Sequence, residues 1–215
     1  MAQGVHKITE EFEKALSDYT NSPYVVTVDN QSNALFLCLY YEKNIKKTPL
    51  SEIEIPSHTY PSVPCEIIHN NLKVKFVKSD SYLEGQYRLI PSNIYDSALT
   101  FTADMYIPDT HMCISFTGPY KHLKLGKGGA ILTDDKAAYE WFKKARFSGR
   151  SECSYHEDDF DDNPVIGWNF YMMPEIAARG LLLINQFYDS NGMKIKNKDL
   201  KLPYPDLSKF KIYQQ

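Results

Sequence analysis

Apolar side chains follow two alternating patterns along the chain: the spacing of an amphipathic helix, and short continuous runs that are typical of buried strands. From Lys7 to Tyr19 the apolar residues share one helical face, and acidic residues occupy the first turns, as a helix N-terminus favours. The β-branched run from Tyr24 to Val28 predicts a buried strand. The same patterns predict helices at residues 32–41, 62–69, 136–146 and 174–187, and strands at 52–55, 73–77, 94–96, 113–116 and 130–133.

This alternation predicts the fold class. Parallel strands need a crossover connection, usually a helix, so strands that alternate with helices favour an α/β protein whose mostly parallel sheet carries helices on both faces. The pattern fades after Phe187 into Lys-rich sequence that contains Pro, which predicts one large domain over residues 1–187 and a tail or short appendage over residues 188–215. The acidic, polar segment from Glu152 to Asn163 predicts an exposed loop.

Composition agrees with a soluble enzyme and argues against some classes of partner. With 215 residues, of which 43% are hydrophobic, the chain can bury one sizeable core. A net charge of −3 gives no electrostatic reason to expect nucleic acid or an anionic membrane as partner. The sequence shows no signal-peptide pattern and no apolar stretch long enough to span a bilayer, so we expect a cytoplasmic protein.

The four cysteines do not predict a metal site. Cys38, Cys65, Cys113 and Cys153 lack the spacing of metal ligands and lie mostly in apolar runs. We therefore expect reduced thiols in the core, as in a cytosolic protein.

The first candidate for chemistry is a lysine between a strand-like run and a diglycine turn. Lys121 follows the run that begins at Ser115 and precedes Gly128 and Gly129. A buried amine with a lowered pKa is the nucleophile that carbonyl chemistry needs, and pyridoxal phosphate (PLP) is held in this way as a Schiff base. Taken alone, the residue is more often a solvated surface lysine, of which the chain has many.

Five segments in register change that interpretation. They are Asn30-Gln31-Ser32-Asn33-Ala34-Leu35, Ile55-Pro56-Ser57-His58-Thr59-Tyr60, Tyr95-Asp96-Ser97-Ala98, the block around Lys121, and Gly167-Trp168-Asn169-Phe170-Tyr171-Met172. In this order the chain resembles the DegT/DnrJ/EryC1/StrS family, the sugar aminotransferases of the fold-type I PLP enzymes, from about residue 8 to about residue 187. The resemblance implies a PLP-binding large domain over residues 1–187, a remnant of the family's small C-terminal domain over residues 188–215, and a homodimer.

The resemblance also implies two catalytic residues. Lys121 would hold the cofactor covalently and then act as the base that moves the proton during transfer. Asp96 would pair with the pyridine nitrogen, keep it protonated and make the ring an electron sink. By local sequence alone, a turn or cap aspartate is the commoner role for a residue such as Asp96. The family's glutamine, whose amide contacts the ring hydroxyl, is replaced here by Leu99.

Four further residues are implied to hold the cofactor. Ser32, at the start of a helix, and Ser115, before the lysine, would bind the phosphate. Tyr60 would stack on the ring. Asn169 would reach the phosphate of the partner subunit, beside large apolar residues that suit an interface. The local alternatives are a plain N-cap for Ser32, a packed loop tyrosine for Tyr60 and an ordinary core around Asn169.

Other departures from the family pattern bear on the cofactor site and on the sheet. Gln31 replaces a glycine, which puts close backbone approach in question, and Tyr171 replaces an arginine. The spacing from Ser115 to Lys121 is one residue longer than the family's. Residues 78–95 are too few for the strand and helix that the family has there, so part of the sheet is expected to be rebuilt.

The function implied by this resemblance is amino transfer. An amino acid would donate the amino group to a keto group, on a nucleotide-linked sugar. A catalytically silent relative that serves as a binding or assembly protein is the alternative. Sugar dehydration is a third possibility, although that chemistry usually comes with a histidine in place of Lys121.

Overall fold

The structure, a computed structural model, describes residues 6–152 and 163–214. Cys153 and most of the predicted loop from Glu152 to Asn163 lie outside the described residues. Glu152 itself is buried, so the prediction that this residue is exposed is wrong.

The helices form where the apolar periodicity predicts them. The first one buries Phe12, Leu16 and Tyr19, and it ends at Asn21, whose left-handed conformation lets its N–H bond the Ser17 carbonyl. The second continues into a π-helical turn, Tyr41–Ile45, and the last into a short 3₁₀ turn, Asn185–Phe187. The α-helices are α1 Lys7–Thr20, α2 Gln31–Tyr40, α3 Ser62–His69, α4 Lys136–Ala145 and α5 Pro174–Ile184.

Nine strands are found in the described residues, including three short ones that the sequence pattern does not predict. The predicted strands are β1 Tyr24–Val28, β2 Glu52–Pro56, β3 Lys73–Val77, β6 Ile94–Asp96, β7 His111–Ser115 and β8 Gly129–Thr133. The additional strands are β4 Tyr82–Glu84, β5 Tyr87–Leu89 and β9 Lys201–Pro203.

The main sheet has the order β1-β8-β7-β6-β5 and is mixed. Only β6 and β7 pair in parallel within it, while the other three pairs are antiparallel. The parallel pair β2-β3 adjoins β5 through an antiparallel bridge between Glu54 and Ile90. Strands β1, β2, β3, β6 and β7 therefore share one direction, and β5 and β8 oppose it.

The two reversed strands follow connections without a helix. Residues 90–93 are too few for a crossover, and residues 116–128 lead from β7 into the antiparallel strand β8. The predicted mostly parallel sheet is thus mixed, and the rebuilding expected between residues 78 and 95 takes the form of β4 and β5.

Helices cover both faces of the sheet, as predicted. Alternate strand residues point to opposite faces. Val26, Cys113 and Ile131 belong to one buried cluster with α2, α3 and α4. Val25 and Met112 belong to a second cluster with α1 and α5. The two clusters hold the strand ends of the sheet in fixed positions.

Residues 188–214 pack against the preceding part of the chain. The Tyr19 hydroxyl donates to the Ile195 carbonyl at 2.7 Å. The N–H of Leu200 bonds the Leu99 carbonyl at 2.9 Å, and β9 pairs with β4. This segment therefore supplies a wall to the cavity described below.

Two of the predicted core thiols are confirmed as buried. Cys38 and Cys113 are free and lie with their sulfur atoms 3.7 Å apart, whereas Cys65 is only partly buried. Within the described part of the chain, none of the helices combines the length and apolar character that a membrane span requires.

Candidate functional site

A cavity of about 720 Å³ opens beside the carboxyl ends of β6 and β7. In open α/β sheets this edge is the usual place for a ligand. Its lining comes from the start of α2, the loops after β2, β6 and β7, and the C-terminal segment. The lining residues are Asn30, Gln31, Ser32, Tyr60, Ala98, Ser115, Thr117, Gly118, Tyr120, Lys121, Leu202, Pro203 and Tyr204.

Lys121 reaches into this cavity with its amine held by the backbone. Its Nζ donates a hydrogen bond of 2.5 Å to the carbonyl oxygen of Ala98. Burial lowers the pKa of the Lys121 amine, and the nearby charge of Asp96 only partly opposes that shift. A lysine in this setting releases its proton more readily than a solvated one, so the interpretation of Lys121 as a surface lysine is wrong.

Asp96 ends β6 and is buried against the cavity wall. Its Oδ1 accepts hydrogen bonds of 2.9 Å from the Gln31 amide and from the backbone N–H of Ala98, and its Oδ2 accepts one of 3.0 Å from the Tyr87 hydroxyl. Burial raises the pKa of the Asp96 carboxyl, and these hydrogen bonds with the charge of Lys121 moderate the rise. A carboxylate has about four acceptor positions, so one remains open here.

Ser32 is the second residue of α2 and lines the cavity. The N-cap is Asn30, whose side chain accepts from the N–H of Asn33, so the alternative that Ser32 is the N-cap is wrong. The Ser32 hydroxyl instead donates to Ser62 at 2.6 Å. A hydroxyl beside a helix N-terminus suits an anionic ligand group.

Close backbone approach at this helix start is provided by Gly129. A Cβ atom on Gly129 would lie 2.6 Å from the backbone nitrogen of Gln31 and 2.8 Å from the carbonyl carbon of Asn30. A side chain cannot be placed there without moving the backbone. Gly129 therefore lets β8 pack closely against the start of α2.

Tyr60 is 55% exposed and contributes an aromatic face to the cavity. Its ring packs edge-on against Tyr204, with centroids 6.3 Å apart and planes at 85°. Burial raises the pKa of Tyr204 to about 12, with smaller contributions from Asp96 and Tyr60. Both aromatic side chains line the cavity, and stacking by Tyr60 remains a prediction.

Ser115 and the loop after it complete the lining. The Ser115 hydroxyl accepts from the N–H of Thr117 at 3.3 Å. Gly118 has a φ of 103°, which L side chains rarely adopt, and Thr117 pairs with Gly126 in a parallel bridge. The loop thus bulges between Ser115 and Lys121, which accommodates the longer spacing.

Asn169 lies apart from this cavity. It is exposed and forms an antiparallel bridge with Phe147, while the neighbouring Phe170 carbonyl bonds the N–H of Asp29. Met172 is buried in the chain's own core, whereas Met173 is 57% exposed. The role of Asn169 toward a partner subunit remains a prediction.

The structure thus brings together Ser32, Tyr60, Ser115 and Lys121, with Asp96 directly behind the wall. The sequence interpretation missed two residues at this site, Tyr87 and Tyr204, and it treated Gln31 only as a departure. Tyr87 lies on the unpredicted strand β5 and Tyr204 follows the unpredicted strand β9, so neither had a periodicity to mark it.

Comparison with known proteins identifies the class of this fold. Residues 3–94 match the model of the DegT/DnrJ/EryC1/StrS aminotransferase family, which confirms the resemblance over that part of the chain. Among curated protein sequences, none matches this chain.

Solved structures with the same fold extend the comparison. AtS13 from Actinomadura melliaura superposes with a TM-score of 0.68 at 19% identity, over 86% of this chain and 62% of its own. GDP-4-keto-6-deoxy-D-mannose-3-dehydratase from E. coli, with bound hydrated PLP, superposes with a TM-score of 0.63 at 16% identity, over 83% of this chain and 60% of its own. 3-Amino-5-hydroxybenzoic acid synthase superposes with a TM-score of 0.65 at 17% identity, over 84% of this chain and 56% of its own.

The chain therefore has the α/β fold of the fold-type I PLP enzymes. It spans about three fifths of the length of these solved structures.

Proposed function

We propose that this chain binds PLP in the cavity beside β6 and β7 and transfers amino groups. The observation that carries the proposal is the pairing of Lys121 with Asp96 across Ala98, inside a cavity also lined by Ser32, Tyr60 and Ser115. The family match over residues 3–94 and the PLP in a neighbouring structure support the choice of cofactor.

The residues present fit this cofactor. An amine of lowered pKa suits a covalent link to an aldehyde, and hydroxyls beside a helix N-terminus suit a phosphate. The wall offers an aromatic ring for a flat heterocycle, and behind it lies a carboxylate with one acceptor position open. The volume of about 720 Å³ leaves room for a substrate beside it.

When bound, PLP supplies an electron sink for the carbanion that forms next to nitrogen. Lys121 would hold the cofactor and, once the amino donor has released it as a neutral amine, would move a proton to and from the α-carbon of that donor. Asp96 supplies the negative charge behind the ring, and the hydroxyls of Ser32 and Ser115 anchor the phosphate. Asn169 reaches the phosphate of a second subunit in a cytoplasmic homodimer.

The family match and the neighbouring structures support the proposed substrate class. An amino acid is the donor, and the acceptor is a keto group on a nucleotide-linked sugar, because the family is one of aminotransferases and the E. coli neighbour is named for a GDP-linked keto sugar. The aromatic pair of Tyr60 and Tyr204 in the cavity lining suits the flat or apolar part of such an acceptor.

Borohydride trapping tests the proposal. Wild-type protein incubated with PLP should give an absorption band that borohydride removes, and mass spectrometry should place the reduced adduct on Lys121. Lys121→Ala should abolish it. Lys127→Ala is the matched control, because Lys127 lies in the same loop, is exposed and pairs with Asp29. An adduct on a different lysine refutes the assignment.

A catalytically silent binding protein is the second candidate. The hydrogen bond from Gln31 to Asp96 favours this candidate, because it weakens the interaction of the Asp96 carboxylate with the cofactor ring. Addition of an amino donor such as glutamate distinguishes an aminotransferase from a silent binding protein. An aminotransferase converts the bound cofactor to its amine form, with a change in absorption, whereas a silent relative keeps the lysine-linked band unchanged.

A further inference from the structure

Gln31 stands between Asp96 and the cavity. Gln31 lines the cavity, whereas Asp96 is not among its lining residues and is only 3% exposed. The Gln31 Nε2 donates a hydrogen bond of 2.9 Å to Asp96 Oδ1. A ligand that enters the cavity therefore meets Gln31 before it meets Asp96.

Three donors from three parts of the fold already bond Asp96. Gln31 comes from the start of α2, Tyr87 from β5 and the N–H of Ala98 from the loop after β6. Tyr87 is held in turn by a hydrogen bond of 2.6 Å between its hydroxyl and that of Thr59. Removing one buried partner costs free energy, so the arrangement resists displacement.

The chemistry of Gln31 determines which way its amide points. An ionised carboxylate only accepts hydrogen bonds, so the amide nitrogen faces Asp96. Within the described part of the chain, no residue donates a hydrogen bond to the side-chain Oε1 of Gln31, which leaves this oxygen as an acceptor. The negative charge of Asp96 polarises the amide and strengthens that acceptor.

We propose that the carboxamide of Gln31, and not the carboxylate of Asp96, receives the ring nitrogen of the bound cofactor, with Asp96 acting through it. The inference rests on the proposed function. Gln31 is then a positioning residue that weakens the electrostatic hold on the protonated ring, because an amide oxygen is less basic than a carboxylate. It sets how strong an electron sink the site provides.

The pKa of the ring nitrogen tests this arrangement directly. PLP labelled with ¹⁵N in the ring is bound to each variant, and the ¹⁵N chemical shift is followed against pH. Gln31→Gly should expose Asp96 and raise the pKa of the ring nitrogen by about one unit, a tenfold gain in proton affinity. Gln31→Leu keeps the volume and removes the acceptor, and should lower that pKa.

Asp96→Asn completes a double-mutant cycle. In the wild-type background it should change the ring nitrogen pKa less than in the Gln31→Gly background, where the contact has become direct. Gln86→Leu is the matched control, because Gln86 bonds the hydroxyl of Ser97 next to Asp96 but does not line the cavity. It should leave the ¹⁵N shift unchanged.

The outcomes separate this inference from the proposed function. If Asp96→Asn has the same large effect with and without Gln31, Asp96 contacts the ring directly and the inference is overturned, while the adduct on Lys121 still supports PLP binding. If wild-type protein forms no adduct on Lys121, the proposed function fails and the inference fails with it. If Gln31→Gly does not fold, Gln31→Leu alone tests the inference. An unchanged ring nitrogen pKa in Gln31→Leu refutes a contact between the ring nitrogen and the Gln31 amide.

Discussion

The amine of Lys121 and the carboxylate of Asp96 are joined through one residue, Ala98. The carbonyl of Ala98 accepts from Lys121 Nζ at 2.5 Å, and its N–H donates to Asp96 Oδ1 at 2.9 Å. Both charged groups are thereby held by backbone atoms, which have little freedom to move. The charge of Asp96 raises the pKa of Lys121 while burial lowers it, and burial prevails.

The first prediction concerns the pH at which Lys121 reacts. Because its pKa is lowered, the neutral amine is present at a lower pH than in a solvated lysine, so formation of the reducible adduct should reach its plateau at lower pH than for a lysine model compound. Asp96→Asn removes the opposing charge and should shift the profile lower still. A stopped-flow pH series measures both, and a profile that matches the model compound contradicts the prediction.

The second prediction concerns the role of Asp96 in the reaction. Asp96→Asn should keep the fold and much of the cofactor binding, because the amide is isosteric, but it should slow the half-reaction with amino donors by about 100-fold or more. Asp104→Asn, at an exposed residue paired with Lys194, serves as the control. Single-turnover absorbance gives the rates, and wild-type rates in Asp96→Asn would refute the role.

The third prediction concerns a buried ion network. Arg146 is fully buried and bonds both Glu13 and Glu152, with its Nε 3.1 Å from Glu152 Oε1. Arg146→Met leaves two buried carboxylates without this partner and should lower the free energy of unfolding by about 3–5 kcal/mol. Urea denaturation measures the loss.

An exposed pair provides the comparison for that variant. Lys136 and Glu140 lie 3.7 Å apart on the surface of α4, so Lys136→Met should change the free energy of unfolding by no more than about 0.5 kcal/mol. If Arg146→Met and Lys136→Met lower the free energy of unfolding equally, the buried network stabilises the fold no more than the exposed pair does.

The fourth prediction concerns acid stability. Burial raises the pKa of the Glu42 carboxyl, but hydrogen bonds from His111 and Thr48 and the charge of Lys46 outweigh it and lower the pKa from 4.5 to about 2. A group whose folded pKa is depressed stabilises the protein above its unfolded pKa, so this contribution should be lost as the pH falls from 4.5 toward 2.

Glu42→Gln should remove most of that pH dependence. Its free energy of unfolding should be lower than that of wild type by about 3 kcal/mol near neutral pH, and the two values should converge in acid. Urea titrations at a series of pH values test this. A constant difference at every pH would contradict the assignment to Glu42.

The fifth prediction concerns assembly. Asn169 is exposed and is not among the residues that line the cavity of its own chain, which is consistent with a role toward a second subunit. Dilution below the dimer dissociation constant should therefore release cofactor as subunits separate. Asn169→Ala should weaken cofactor binding by roughly 1.5–3 kcal/mol without removing the adduct on Lys121.

Light scattering combined with cofactor fluorescence measures that coupling. Asn163→Ala provides a control, as Asn163 is exposed and lies outside the proposed cross-subunit segment. A monomer that keeps its cofactor would show the proposal to be wrong.

The helices and strands with strong periodicity were predictable to within a few residues, because burial of one face imposes a spacing on the sequence. Strand β1 and helix α3 have the predicted bounds. The short strands β4, β5 and β9 were not predictable, since three residues are too few to show a period. The reversed directions of β5 and β8 depend on connections that the pattern left unassigned.

The sequence by itself determined the α/β class, the order of the elements and the identity of the candidate residues, because these depend on local spacing and on motifs in register. Only the tertiary structure decided that Lys121 and Asp96 are joined through Ala98, that Tyr204 lines the cavity beside Tyr60, and that Gln31 lies between Asp96 and the cavity. These contacts join residues far apart in the chain, and they form because packing of the two core clusters brings distant strand ends and loops to one edge of the sheet.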